Sequence, residues 1–203
     1  MTNASGGLTG AQVARILYKQ IVEGDLRKIQ AQSNDSDTGG GARDFRFGSY
    51  KRLLPIIRQM FPRSVKETRK RGGMDTLIDV YEGDFYWQPP NSKVLSRRSY
   101  FEPATDVRPN EGRIVRVHEY PCFDLSLIPA LQVGNRILLL LVQRGDGTVW
   151  PHFVEESSLR TPGVWEPAVA EEICKCLDAQ RRTGLAVIGS KDFVSGEHYC
   201  NGN

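Results

Sequence analysis

The chain has no apolar run near the roughly 18 residues that a membrane-spanning helix needs. Its longest, Ile137 to Val142, is the length of a buried strand. Met1 to Gly7 lack the basic-then-apolar pattern of a leader, so export is not expected. Cysteine is scarce, with only Cys122, Cys174, Cys176 and Cys200. Cys174 and Cys176 stand closer together than the cysteines of a zinc knuckle, and no histidine pair completes a site. Structural or free thiols are expected, in a reducing cytoplasm of prokaryotic type. Catalytic signatures are missing as well. No Asp or Glu is followed two places later by Lys, which removes the carboxylate-x-Lys of the common metal-dependent nuclease fold. His118, His152 and His198 lie far apart, and neither His-Glu-x-x-His nor Gly-x-Ser-x-Gly occurs. Gly39-Gly40-Gly41 lacks the Gly-Lys-Ser/Thr ending of a nucleotide loop. The chain is therefore expected to carry no chemistry and no cofactor of its own. Mg²⁺ enters only with a separately attached nuclease domain.

What is present is charge, unevenly spread. The 203 residues are 39% hydrophobic and 25% charged, an ordinary balance for one domain with a real core, and the net charge is only +3. Between Ala42 and Arg71, however, ten bases (Arg43, Arg46, Lys51, Arg52, Arg58, Arg63, Lys66, Arg69, Lys70, Arg71) meet two acids, Asp44 and Glu67. From Glu119 to Asp178 the balance reverses, with nine acids against four bases. A basic first half beside a Gly-rich loop suits a polyanion such as nucleic acid.

Periodicity divides the chain into short elements. Thr9 is expected to cap a helix over 10–22, carried by Val13, Ile16, Leu17 and Ile21 and stopped by Gly24. Leu26 to Gln32 reads as a strand, Asn34 to Gly41 as a loop and Phe45 to Phe47 as a short strand. A helix follows from Tyr50 to about Phe61, with Leu53, Leu54, Ile57 and Met60 on one side and Pro62 closing it. Arg63 to Gly73 is too charged for core. Strands are expected at Thr76–Tyr81, Asp84–Trp87, Ser99–Phe101, Arg113–His118, Ile137–Gln143, Trp150–Val154 and Leu185–Ile188. A hairpin turn is expected over Arg144–Gly147, and a helix from Pro167 to about Arg181. Residues 1–8 read as a flexible start, 9–196 as one domain, and 197–203 as a tail or the start of a linker. Many short, mostly antiparallel strands with flanking helices predict a mixed β structure with α, closed or nearly closed.

Two basic segments have base-reading chemistry. Arg43, Asp44 and Arg46 follow the Gly-rich loop: an Arg fork matches guanine in a major groove, and Asp accepts from the cytosine amino group. Lys93, Ser96, Arg97 and Arg98 follow the stiff Pro89-Pro90 entry and form the second segment. Lys28, Asn34, Lys51, Lys66, Arg69 and Lys70 read as phosphate contacts, which add affinity and position. Asp79, Glu82 and Asp84 are the best acidic cluster and define a rival reading, a metal-dependent nuclease. An RNA-binding or protein-interaction surface is the other rival.

From Arg27 to Pro62 the chain resembles the amino-terminal effector domain of EcoRII-type restriction endonucleases. The likeness lies in Asn34-Asp35-Ser36 running to Gly40-Gly41, then a short strand at Phe45–Phe47, then a helix ending in Phe61-Pro62. A weaker echo spans Ser99 to Tyr120 with its Pro109-Asn110-Glu111-Gly112 turn. The resemblance implies a DNA-binding pseudobarrel gripping the major groove of double-stranded DNA between two recognition arms. Ala42 to Phe47 would be the first arm and Lys93 to Arg98 the second. In that family the domain regulates a nuclease domain, here a possible C-terminal partner of the same polypeptide. Ala42 and Phe47 replace a His and a Tyr of the family's arm, so the recognition sequence is not carried over.

Overall fold

The computed structural model describes residues 13–30, 43–48, 50–71, 73–103, 108–165, 167–187 and 198–200. Thr9, Asn34 and the Asn34–Gly41 loop lie outside them. The elements run β1 (Val13–Ile21), α1 (Glu23–Gln30), β2 (Asp44–Phe47), α2 (Tyr50–Met60), β3 (Arg63–Arg71), β4 (Met74–Trp87), β5 (Leu95–Glu102) and β6 (Gly112–Val115). Then come β7 (Ile137–Arg144), β8 (Val149–Glu155), α3 (Glu156–Arg160), α4 (Pro167–Asp178), β9 (Thr183–Val187) and β10 (His198–Cys200). The protein is a mixed α/β structure dominated by one nearly closed, largely antiparallel sheet with few helices. Its strand order is β10-β9-β1-β7-β8-β4-β5-β6-β2, and β3 pairs only with β4. Between β8 and β4 the link is a single parallel register pair, Phe85 with Val149.

Two apolar cores explain the strand sequences. In β7, Ile137, Leu139 and Leu141 enter a Phe-rich interior that holds Phe45, Phe47, Phe61, Phe85, Phe101 and Phe123 and is plugged by α2. Leu138, Leu140 and Val142 turn the other way, under Val169, Ile173 and Leu177 of α4. Burial on both faces is why this strand is an unbroken apolar run. Removing each such side chain from water stabilises the fold by about 1.5–3 kcal/mol.

The same two-sidedness reverses the expected helix over 10–22. Leu17 and Ile21 of β1 point into the first core, while Ile16 and Tyr18 point into the second. A strand buried on both sides loses its alternation, and the surviving apolar set imitates helical spacing. Conversely, the expected strand over Leu26–Gln32 is, as far as Gln30 where the described residues end, part of α1, with Gly24 inside it. Glu23 and Asp25 sit in its first turn and Arg27 and Lys28 in its last, the arrangement that the helix dipole favours. Asp25 Oδ2 also accepts from the Val22 amide at 3.3 Å.

Other expectations shift more modestly. The two strands expected at Thr76–Tyr81 and Asp84–Trp87 are one, β4, because the chain stays extended through Glu82-Gly83. A Cβ at Gly83 would lie 2.5 Å from the Met60 carbonyl, so glycine lets α2 end directly on the strand. Arg63–Arg71, read only as a charged run, is an edge strand paired with β4. His118 leaves the strand pattern: β6 ends at Val115, Arg116 adopts φ 59°, and Val117–Glu119 form a 3₁₀ turn. His198–Cys200 pair with β9, so the expected tail adds a strand to the sheet. Cys122 and Cys174 are free thiols, whereas Cys176 is disulfide-bonded, against the expectation of unpaired cysteines. No helix among the described residues is long and apolar enough to cross a membrane.

Candidate functional site

The two expected arms lie on either side of one strand, β6. β2 pairs with β6 and β6 with β5, so Asp44 lies opposite Val115 and Val115 opposite Tyr100. The turn after β6 then gathers both arms. The Val117 amide donates to the Arg43 carbonyl at 3.2 Å, and Arg97 Nη2 stands 3.5 Å from Glu119 Oε2. Burial, and after it the charge of Arg43, hold His118 below its ordinary imidazole range. Beside this turn is a recess of about 320 Å³ lined by Ile29, His118, Glu119, Phe123 and Asp124, among others. Arg43, through its backbone carbonyl, and Arg97, through its guanidinium, thus both contact the Val117–Glu119 turn.

Tyr120 fixes the strands beside that turn. Its hydroxyl donates to the Val115 carbonyl at 2.8 Å and accepts from the Tyr100 amide at 3.2 Å, clamping β5 to β6. Arg116 lies over the Tyr100 ring, 4.4 Å from its centroid.

Asp44 occupies a different role from the one its sequence position suggests. It is 1% exposed and surrounded by cations: Lys28 Nζ at 3.2 Å, Arg46 Nε at 3.3 Å and Arg113 Nη1 at 3.2 Å. Lys28 also donates to the Asp44 carbonyl at 2.8 Å. A carboxylate so enclosed holds β2 to α1 and β6 and has no lone pair turned to a base edge, and Lys28 is committed to it instead of to phosphate. Arg46 bonds Asp44 and lies 3.7 Å from Glu111.

The network continues through a residue that sequence reading missed. Arg113 donates to Asp44 and also to Glu102, at 3.0 Å through Nε and 2.6 Å through Nη2. Arg69 reaches the other oxygen of Glu102 at 3.0 Å and also contacts Glu67, so it too is engaged in the fold. The signal for Arg113 was its place in an otherwise apolar strand, where a charge needs a buried partner.

The second arm is a strand for most of its length. Only Lys93 and Val94 precede β5, and both are exposed. The turn before them is tight: Gln88 Nε2 donates to the Ser92 carbonyl at 2.9 Å, and Asn91 takes φ 58°. Alternation sends Arg97 to one face of β5 and Ser96 and Arg98 to the other. Arg98 stands 3.8 Å from Glu82 and is half-exposed. The Lys93–Arg98 fingers therefore do not act as one cluster.

Among the expected phosphate contacts, Lys51 is exposed on α2. Lys66 is exposed on β3, with Asp79 only at 4.0 Å. The Lys70 side chain lies outside the described residues, as does Asn34. The acidic trio separates, since Asp79 faces opposite to Glu82 and Asp84 on β4. Arg63 stands 3.7 Å from Glu82 and bonds Asp84 at 2.9 Å. Among the described residues no group of three His, Cys, Asp or Glu side chains is placed to hold a metal.

A second, larger groove of about 880 Å³ lies elsewhere, between the end of β1 and α3. Its charges satisfy one another: Arg136 forks onto Glu156 and donates to the Leu177 carbonyl at 2.7 Å, and Arg160 bonds Glu156 at 2.8–2.9 Å. None of the arm residues lines it. No family model matches the chain, and neither a curated protein nor a solved structure matches it.

Proposed function

We propose that the chain is a sequence-specific double-stranded-DNA-binding domain, a pseudobarrel akin to the effector domains of EcoRII-type restriction endonucleases. Two arms from different parts of the chain read one major groove, Arg43 from the first and Arg97 from the second. Lys51 and Lys66 neutralise phosphates, and Lys93 and Arg98 extend the cationic border. The observation that carries the reading is the convergence of Arg43 and Arg97 on the Val117–Glu119 turn. Asp44, Arg46, Arg113 and Lys28 are the rigid mount beneath the first arm. In this reading the domain binds without cleaving, and hydrolysis belongs to a nuclease domain of the same polypeptide.

Selection of bound sequences from a random duplex library tests this directly. Enrichment of one short, near-symmetric site supports the reading. Retention without enrichment, or with RNA or heparin competing as well as the duplex, counts against it.

A further inference from the structure

A row of side chains crosses the junction of the two sheet halves, on the face turned away from the Phe-rich core. Phe85 and Val149 are register partners and both enter that core. Their neighbours Tyr86 and Trp150 therefore emerge together on the opposite face. These rings stack with centroids 6.1 Å apart and 29° between planes. Arg144 of β7 closes one end, its Cζ 3.9 Å from the Trp150 centroid. The indole is fixed by its own donation to Thr148 Oγ1 at 2.8 Å. Guanidinium, indole and phenol form a three-layer ladder across β7, β8 and β4.

At the other end, among the described residues, no further ring or guanidinium stacks on Tyr86. The next strand presents Ser96, the register partner of Tyr86. Ser96 is exposed, and its side chain is too short to cover the far face of the phenol. β6 brings nothing to this position, because its pairing with β5 begins at Tyr100. Exposed Lys93 and Arg98 flank Ser96, and Arg98 shares its face. The ladder therefore ends beside an exposed serine with two exposed cations near it.

We propose that the gap above Ser96 is a stacking subsite for one unpaired nucleobase of bound DNA. The base becomes the fourth layer of the ladder, on Tyr86, with its phosphate toward Lys93 and Arg98. Every base has a π face, so the subsite adds affinity without adding sequence preference. The inference rests on the DNA-binding reading above and extends it to an unpaired nucleotide.

Fluorescence anisotropy of the full chain with a selected duplex, and with the same duplex carrying one bulged nucleotide, tests it. The bulged duplex is expected to bind roughly tenfold tighter. Tyr86→Ala abolishes that gain and Tyr86→Phe keeps it. Ser96→Leu, which fills the gap and leaves the ladder in place, also abolishes it and decides alone if Tyr86→Ala does not fold. Equal binding of the two duplexes by the unaltered chain, or a gain that survives either abolishing variant, overturns the subsite and leaves duplex binding standing. Failure to bind either duplex overturns the DNA-binding reading and the subsite with it.

Discussion

Arg97 and Glu119 form an ion pair at 3.5 Å in which the Arg97 side chain is 49% exposed and the Glu119 side chain 38%. A pair this open contributes at most about 1 kcal/mol and is screened by salt, so the guanidinium is free to exchange Glu119 for a stronger acceptor. Arg97→Ala is expected to weaken binding to the selected site by about 1–3 kcal/mol, with a smaller loss on scrambled duplex. Arg43→Ala should behave alike. Titrations showing equal losses on both duplexes remove these residues from base readout.

Asp44→Ala acts on the fold. Removing a buried carboxylate leaves Lys28, Arg46 and Arg113 facing one another around an empty site. The three cations keep part of their surface in water, so the cost is expected below that of a fully severed buried pair, at about 2–3 kcal/mol. Urea denaturation measures it. A midpoint unchanged from that of the unaltered chain would return Asp44 to the list of direct readers.

Lys66→Ala should leave stability within about 0.5 kcal/mol, since its contact with Asp79 is long and exposed. Binding to all duplexes should weaken. The slope of log K against log salt should fall by about 0.9 for one lost phosphate contact. An unaltered slope excludes Lys66 from the footprint.

His152 sets a pH dependence of stability. Its ring meets that of Trp165 edge-on, its Nε2 has no hydrogen-bond partner among the described residues, and burial, with the charge of Arg144 second, lowers its pKa to about 4. Below the ordinary pKa of about 6.5 the unfolded chain binds a proton that the folded chain refuses until about pH 4. Stability is therefore full above that ordinary value and falls across the window, by up to about 3 kcal/mol. His152→Phe should flatten this part of the Tm–pH curve. A curve with the same fall in the variant assigns the effect to other groups.

Gly112→Ala is expected to destabilise by about 1–3 kcal/mol through overpacking. Its Cβ would meet the Phe101 ring at 2.5 Å and the Tyr50 ring at 2.6 Å. Thermal melting checks this, and a Tm equal to the parent's would mean that the rings yield at no cost.

Where one driving force acted alone, the sequence was legible. The apolar run of β7, the amphipathic α2, the α4 helix behind Pro167 and the hairpin turn with Gly147 at φ 87° all follow from local pattern. Where two forces overlapped, it misled. β1 is buried on both faces and so lost its period of two, and α1 has a charge arrangement stronger than its weak apolar stripe. The site shows the same division. Basic density marked the neighbourhood of Arg43 and Arg97, but not which cations were already committed. Lys28, Arg46 and Arg69 are bound by Asp44 and Glu102, whose burial depends on Arg113 some 70 residues from Asp44. Long-range pairing of that kind leaves no local trace. The Tyr86–Trp150–Arg144 ladder was missed because its members come from three strands.

β7 also governs how the molecule comes apart. Leu138 and Leu139 are adjacent in the chain yet look into different interiors, so neither layer can melt while the other keeps this strand in place. Heat should dissolve the α4-covered layer and the aromatic interior in one cooperative transition, with no half-molten species between.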